Sequence, residues 1–332
     1  MSQVPEYIEK WMKIIEEMSN DNTYKLAWGR AIIECSRDKA YQKDMLLIIK
    51  YEDIAECMLK YYWNQLFFFN LKQSLYANKE PYICQYTKEL IDKYKELKTT
   101  TIPCWFEDAR IYFDSVNPKL YKDTIKKISN VLPRDVSHRF MNVVKTASNP
   151  NGVLEIYRCN QFNKWLEFNY DDLELIRDYD VILSKLLNYK WAQLLEKFNY
   201  APKIASKVNG ISEARLSRSA SLTKYKEELL KEFSGQAAID FYTGKELKPD
   251  EISVDHVIPW SFMYSDDIWN LVLTSQSYNS SKSNKIPSKE EIEKLKERNK
   301  RIQNIVSEKY KNDLELAIKN GLVDKYYYDC RL

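Results

Sequence analysis

Apolar positions recur at three- and four-residue spacing along most of this chain. Ile8, Trp11, Met12, Ile14, Ile15 and Met18 mark one helical face, and the polar run 19–23 interrupts it. The same period predicts helices over 23–36, 43–75, 88–97, 105–113, 121–131, 181–198 and 222–233, with 171–180 acidic. Phe67, Phe68 and Phe69, in the longest apolar run, read as buried helix, as do Tyr61, Tyr62 and Trp63 and, further on, Trp191, Leu194, Leu195 and Phe198. Turn residues punctuate this pattern at Asn117-Pro118, at Asn149-Pro150-Asn151-Gly152 and at Thr243-Gly244.

Two places depart from the helical period. Residues 153–157 and 164–168 read as a small hairpin in the middle of the chain. Residues 252–258 alternate and end in β-branched positions, 269–274 form a second β-favouring run, and the polar stretch from Gln276 suits a short helix. That unit is strand, loop, strand, helix. The expected fold is therefore mainly α, with a multi-helix N-terminal region over 1–200 and a second domain over 201–332 that contains this unit. Residues 99–103 mark a further joint within the first part, and the basic, serine-rich stretch 202–218 leads into the second.

Composition supports the helical reading. With 44% hydrophobic and 30% charged residues, but only 6 glycines and 10 prolines in 332, the chain has ample material for a core and little for loops. The net charge is only +3, yet ten basic residues face five acidic ones between Ser280 and Lys311, a stretch that can present a basic face to a polyanion. Six cysteines without paired short spacing form neither a metal motif nor a disulfide framework, which fits a reducing cytoplasm. The first residues lack an apolar signal core, and no apolar run is long enough for a bilayer, so no membrane association is expected. No glycine-rich phosphate loop is present.

The chemistry concentrates in one stretch. Of two histidines, His138 stands without an acid or cysteine pattern, whereas His256 follows Asp255 directly. Asn270 lies fourteen positions after His256 and Asn279 nine further. A strand–loop–strand–helix unit brings Asp255 and His256 towards Asn279. Carboxylate and amide oxygens are hard donors suited to Mg²⁺ or Mn²⁺, and a neutral imidazole beside them can take a proton from water. An isolated Asp-His pair on a strand is usually structural; several positions at fixed spacing carry more weight.

The strings D-H-V-I-P-W-S-F, D-D-I-W-N-L-V-L-T and Y-N-S-S-K-S-N-K-I-P resemble the HNH endonucleases, which share a ββα-metal fold. The resemblance is to the HNH domain of CRISPR RNA-guided effector nucleases and to stand-alone bacterial HNH proteins of restriction or defence type. It implies Asp255 as a metal ligand, His256 as general base, Asn270 as the residue that orders the loop and the histidine, and Asn279 as a second metal ligand. Lys282, one helical turn on, is placed to meet the substrate phosphate. Many relatives carry two Cys-x-x-Cys pairs for a structural zinc; here those places read FYTGKEL and SQSYN, so no structural zinc is expected and Phe241, Tyr242 and Tyr278 supply packing.

The function implied is metal-dependent hydrolysis of phosphodiester bonds, with DNA as the first substrate, a setting in restriction or anti-phage defence, a dimer or two successive nicks for double-strand cuts, and a partner protein or homodimer as protein partners. RNA cleavage is one alternative. Another is a non-catalytic nucleic-acid-binding or assembly subunit that keeps the fold for structure.

Overall fold

The computed structural model describes residues 4–76, 80–213 and 221–331. Part of the basic stretch 202–218 thus lies outside the described residues. The described residues form two compact units, one from 4–76, 80–100, 104–199 and 204–213, the other from 101–103, 200–203 and 221–331. Both are predominantly helical, and the mainly α expectation holds. No helix among the described residues is long and apolar enough to cross a membrane.

In the first unit, the helix Tyr24–Asp38 is buried on nearly every side, through Leu26, Ala27, Trp28, Ala31, Ile32, Ile33 and Cys35. A helix without a wet face belongs at the centre of a bundle. It packs on helices Tyr51–Trp63 and Asp180–Glu196. Gly29 sits in its interior because a Cβ there would lie 2.8 Å from the Phe140 ring, so close approach outweighs the weaker helix propensity.

Residues 41–50 do not begin a helix. They form β1 (Tyr41–Lys43) and β2 (Leu46–Lys50), joined through Asp44 at φ 54°. With β3 (Arg158–Asn160) and β4 (Trp165–Phe168) they make an antiparallel sheet in the order β1-β2-β4-β3. The local period of 43–61 fits a helix. The β-branched pair Ile48-Ile49 instead takes the register Leu47↔Phe168 and Ile49↔Leu166, with partners far along the chain. The middle hairpin is therefore real but displaced and part of a larger sheet; residue 153 makes only an isolated bridge, to Asn142.

Other boundaries shift for local reasons. Helix Tyr51–Trp63 runs on through a π-turn, Asn64–Phe68, and stops at Asn70, whose φ of 52° no helix continues, so it does not reach Leu75. Asn117-Pro118 opens a helix: Asn117 accepts the Leu120 amide and Pro118 is the first residue of Pro118–Leu132. Within the basic stretch, Ile204–Gly210 is a packed helix of the first unit. Its Lys207 is fully buried against the Phe69 ring, and burial lowers its ammonium to about 7.

The second unit centres on a two-stranded antiparallel ladder, β5 (Ile252–His256) with β6 (Leu271–Ser275). Helix Gln276–Lys282 follows directly, giving ββα in chain order. Val254, Leu271 and Leu273 share a core with Ile292, Leu295 and Ile302 of helix Lys289–Ile302, which starts on a Ser288/Glu291 capping box. Arg298 of that helix belongs to the core, not to a basic face: its guanidinium donates to the carbonyls of Ile268 and Leu271. Asn299 donates to the Trp269 carbonyl at 2.8 Å. These bonds fix the chain as it enters β6.

Candidate active site

The register of the ladder sets the site. Asp255 lies opposite Val272 and His256 opposite Leu271, so both leave the end of β5 next to the loop that returns to β6. Asn270, fully buried, closes that loop: its Nδ2 donates to the Ile258 carbonyl at 2.9 Å and its Oδ1 accepts the Ile258 amide at 2.8 Å. The Asn270 carbonyl also accepts the Val257 amide at 2.9 Å. One side chain thus replaces two rungs of ladder where the strands diverge.

The two side chains at the strand end have separate partners. His256 Nε2 lies 2.9 Å from Asp266 Oδ1. Asp266 comes from the polar loop and is anchored in turn, because Tyr225 Oη donates to its carbonyl at 2.5 Å. A carboxylate on Nε2 holds the proton on that nitrogen and leaves Nδ1 as the basic one.

Asp255 faces the other way. Its Oδ2 accepts from Tyr242 Oη at 2.5 Å and sits 2.9 Å from Lys282 Nζ. The Lys282 ammonium also donates to the His256 carbonyl at 2.7 Å and is buried. Tyr242 stacks on Tyr278 with centroids 4.6 Å apart. Burial, then the neighbouring Asp255 charge, pushes the Tyr242 phenol far up, so it stays a neutral donor.

Asn279 lies on the short helix. Its Nδ2 donates to Ser253 Oγ at 2.8 Å and to the Val254 carbonyl at 3.2 Å, which ties the helix to β5. With the nitrogen so engaged, the amide oxygen is the atom that can serve a ligand. The structure therefore groups Asp255, His256, Asn270, Asn279 and Lys282 around one strand end. Lys282 meets Asp255 and the backbone there.

Three residues escaped the sequence reading. Tyr242 was legible only as packing, yet its hydroxyl holds the Asp255 carboxylate. Asp266 is one of two adjacent acids in a polar loop, and nothing local separates it from Asp267. Asp240 carries the turn that opens the FYTGKEL string. Its Oδ1 accepts the amides of Tyr242 and Thr243, and its Oδ2 accepts Thr274 Oγ1 and the Ser275 amide, all at 2.9 Å. Burial alone would raise its pKa; the bonds from Thr243, Ser275, Thr274 and Tyr242 outweigh that and hold it below the usual range. The string D-x-x-T-G is an Asx-turn signal that could have pointed to it.

A divalent cation fits the donor set at Asp255 and Asn279. A carboxylate and an amide oxygen are hard donors, and two of them suit an ion that keeps several waters. No group of three or more His, Cys, Asp or Glu side chains among the described residues offers a richer alternative.

Residues 240–288 match the HNH endonuclease family. The HNH segment runs from Asp240 to the N-cap of the next helix, so it encloses the arrangement above except Tyr225, which anchors Asp266 from outside it. The chain is also 36% identical, over 90 residues, to the CRISPR-associated endonuclease Cas9 of Streptococcus mutans. That stretch is 26% of this chain and only 7% of the Cas9 protein. No solved structure matches the chain at a significant level.

Proposed function

We propose that this protein is a metal-dependent endonuclease that hydrolyses DNA phosphodiester bonds at the HNH site. The observation that carries the reading is the pairing of His256 with Asp266 beside Asp255 and Asn279, a base with its own orienting acid next to two hard oxygen donors. Asp255 and the Asn279 oxygen would hold Mg²⁺ or Mn²⁺, which when bound supplies Lewis-acid stabilisation of charge on the phosphate and leaving oxygen.

His256 takes a proton from water at Nδ1, and the resulting hydroxide bonds to phosphorus as the P–O3′ bond breaks. Asp266 holds the ring and stabilises the imidazolium that forms. Asn270 keeps the strand end in register. Tyr242 and Lys282 orient the Asp255 carboxylate, and Lys282 compensates its charge in the absence of substrate. Incubation of supercoiled plasmid with Mg²⁺ tests this: the wild type nicks, and His256→Ala does not. Cleavage of an RNA oligonucleotide in preference to DNA would move the substrate to RNA. A role against foreign DNA, as the similarity to a CRISPR-associated protein suggests, predicts lower phage plating on cells with the wild type than on cells with His256→Ala.

One observation favours a second reading, a nucleic-acid-binding subunit that does not cleave. His256 is 3% and Asp255 6% exposed, and an ammonium already occupies one Asp255 oxygen. Binding that is indifferent to chelation, without cleavage at any metal concentration, would select it.

A further inference from the structure

Away from the HNH segment, the first unit contains a cleft of about 570 Å³, within the range of roughly 300–1,000 Å³ common for ligand pockets. Arg30, Asn188 and Asn209 contribute to its lining, together with Arg37, Lys185 and Tyr189. Arg30 is 5% exposed, and its guanidinium is only partly satisfied. Nε donates to Asn188 Oδ1 at 3.2 Å and one terminal nitrogen to Ser212 Oγ at 3.0 Å. The other, Nη1, is buried and meets no acceptor among the described residues. A buried cationic donor without an acceptor is costly, and an anion in the adjoining cleft offsets part of that cost through space. Asn188 in turn donates to Asn209, which aligns two amides beside the guanidinium.

The rest of the lining mixes two further cations, Arg37 and Lys185, with Asp180 and with small and apolar side chains. Lys185 is exposed, and Arg37 is 47% exposed while paired with Asp180 at 3.2 Å. On the same helix Tyr189 is 60% and Val181 59% exposed, apolar surface next to cationic groups. Phosphate-directed cations interleaved with an exposed aromatic ring are what a single nucleic-acid strand requires, charge for the backbone and a flat face for a base.

We propose that this cleft is a second nucleic-acid site, in which a phosphate of a single strand meets Lys185 beside the buried Arg30 charge and an adjacent base lies on Tyr189. The choice of a strand as the anion rests on the nuclease reading; the cleft itself does not. Arg37 is held in reserve by Asp180, so the sign of a change at Asp180 is fixed: removing that acid strengthens binding.

The test is fluorescence anisotropy of a labelled single-stranded DNA with the full-length protein in EDTA, where no hydrolysis consumes the probe. Tyr189→Ala should weaken binding about tenfold. Lys185→Ala should weaken it and reduce the slope of log affinity against log salt by about 1. Asp180→Asn should tighten it. Equal thermal melts show that the three substitutions leave the fold intact. Wild-type affinity and salt slope in all three variants would overturn the proposal. So would a cleft that takes inorganic phosphate or a nucleoside monophosphate, seen as a raised melting temperature lost in Lys185→Ala, while the strand fails to compete. The two readings fail separately: cleavage without dependence of binding on the cleft removes this proposal alone, and cleft-dependent binding without cleavage removes the nuclease reading alone.

Discussion

Replacing Asp266 by Asn keeps an acceptor oxygen near His256 Nε2 and removes the charge. In the structure the contact is 2.9 Å, with the Asp266 side chain only 17% exposed, so solvent screens it incompletely. A hydrogen bond to a charged group contributes about 1.5–3 kcal/mol, and here it matters most once His256 is protonated in the transition state. The expected loss in kcat is therefore about 10- to 150-fold, with KM little changed. Asp266→Ala, which also loses the orientation, should lose at least as much, and Asp266→Glu should recover part of it. Single-turnover cleavage of a labelled duplex at saturating enzyme and Mg²⁺ reads this directly. A rate within twofold of wild type for Asp266→Asn, with an unchanged melt, would refute the assignment of Asp266 to the base.

Tyr242→Phe keeps the stack on Tyr278 and removes the hydrogen bond to Asp255, so the Mg²⁺ concentration for half-maximal cleavage should rise about 10- to 100-fold in a metal titration. Asn270→Ala strands the buried amide and carbonyl of Ile258 and should cost about 2–5 kcal/mol in chemical denaturation followed in the second unit. Asp240 has a folded pKa below its ordinary 3.8, so its contribution is present above that value and is lost as pH falls through the lower folded one. Stability of the wild type should fall on the acid side of pH 3.8, and Asp240→Asn, less stable at neutral pH, should show a shallower acid limb in denaturant midpoints measured across pH.

The parts of this molecule that were legible in the sequence are those whose signals are local. Helix Glu6–Glu17 carries its own apolar stripe, and β5, β6 and the following helix carry both pattern and motif within about thirty residues. What was illegible depends on distant partners. Ile48 and Ile49 read as helix because their strand partner lies beyond residue 164. Arg298 read as part of a basic face because the two carbonyls it satisfies, of Ile268 and Leu271, lie about thirty residues back, where the chain enters β6. The same limit applies at the candidate site. Asp255, His256, Asn270 and Asn279 announce themselves by spacing, whereas Tyr242 and Asp266 matter only because the fold points them at Asp255 and His256. A positive charge such as Lys282 can be placed on the right helix from sequence, but whether it faces a substrate or a neighbouring carboxylate is decided by packing.

Everything proposed for the HNH segment turns on His256 as the base of a metal-dependent nuclease. The most direct measurement of that role is the initial rate of plasmid cleavage by purified wild type and His256→Ala, each with Mg²⁺ and with EDTA, at matched thermal stability. The wild type should cleave with Mg²⁺ and not with EDTA, and His256→Ala should be at least about 100-fold slower. Equal rates for the two proteins, or cleavage that survives EDTA, would contradict that role.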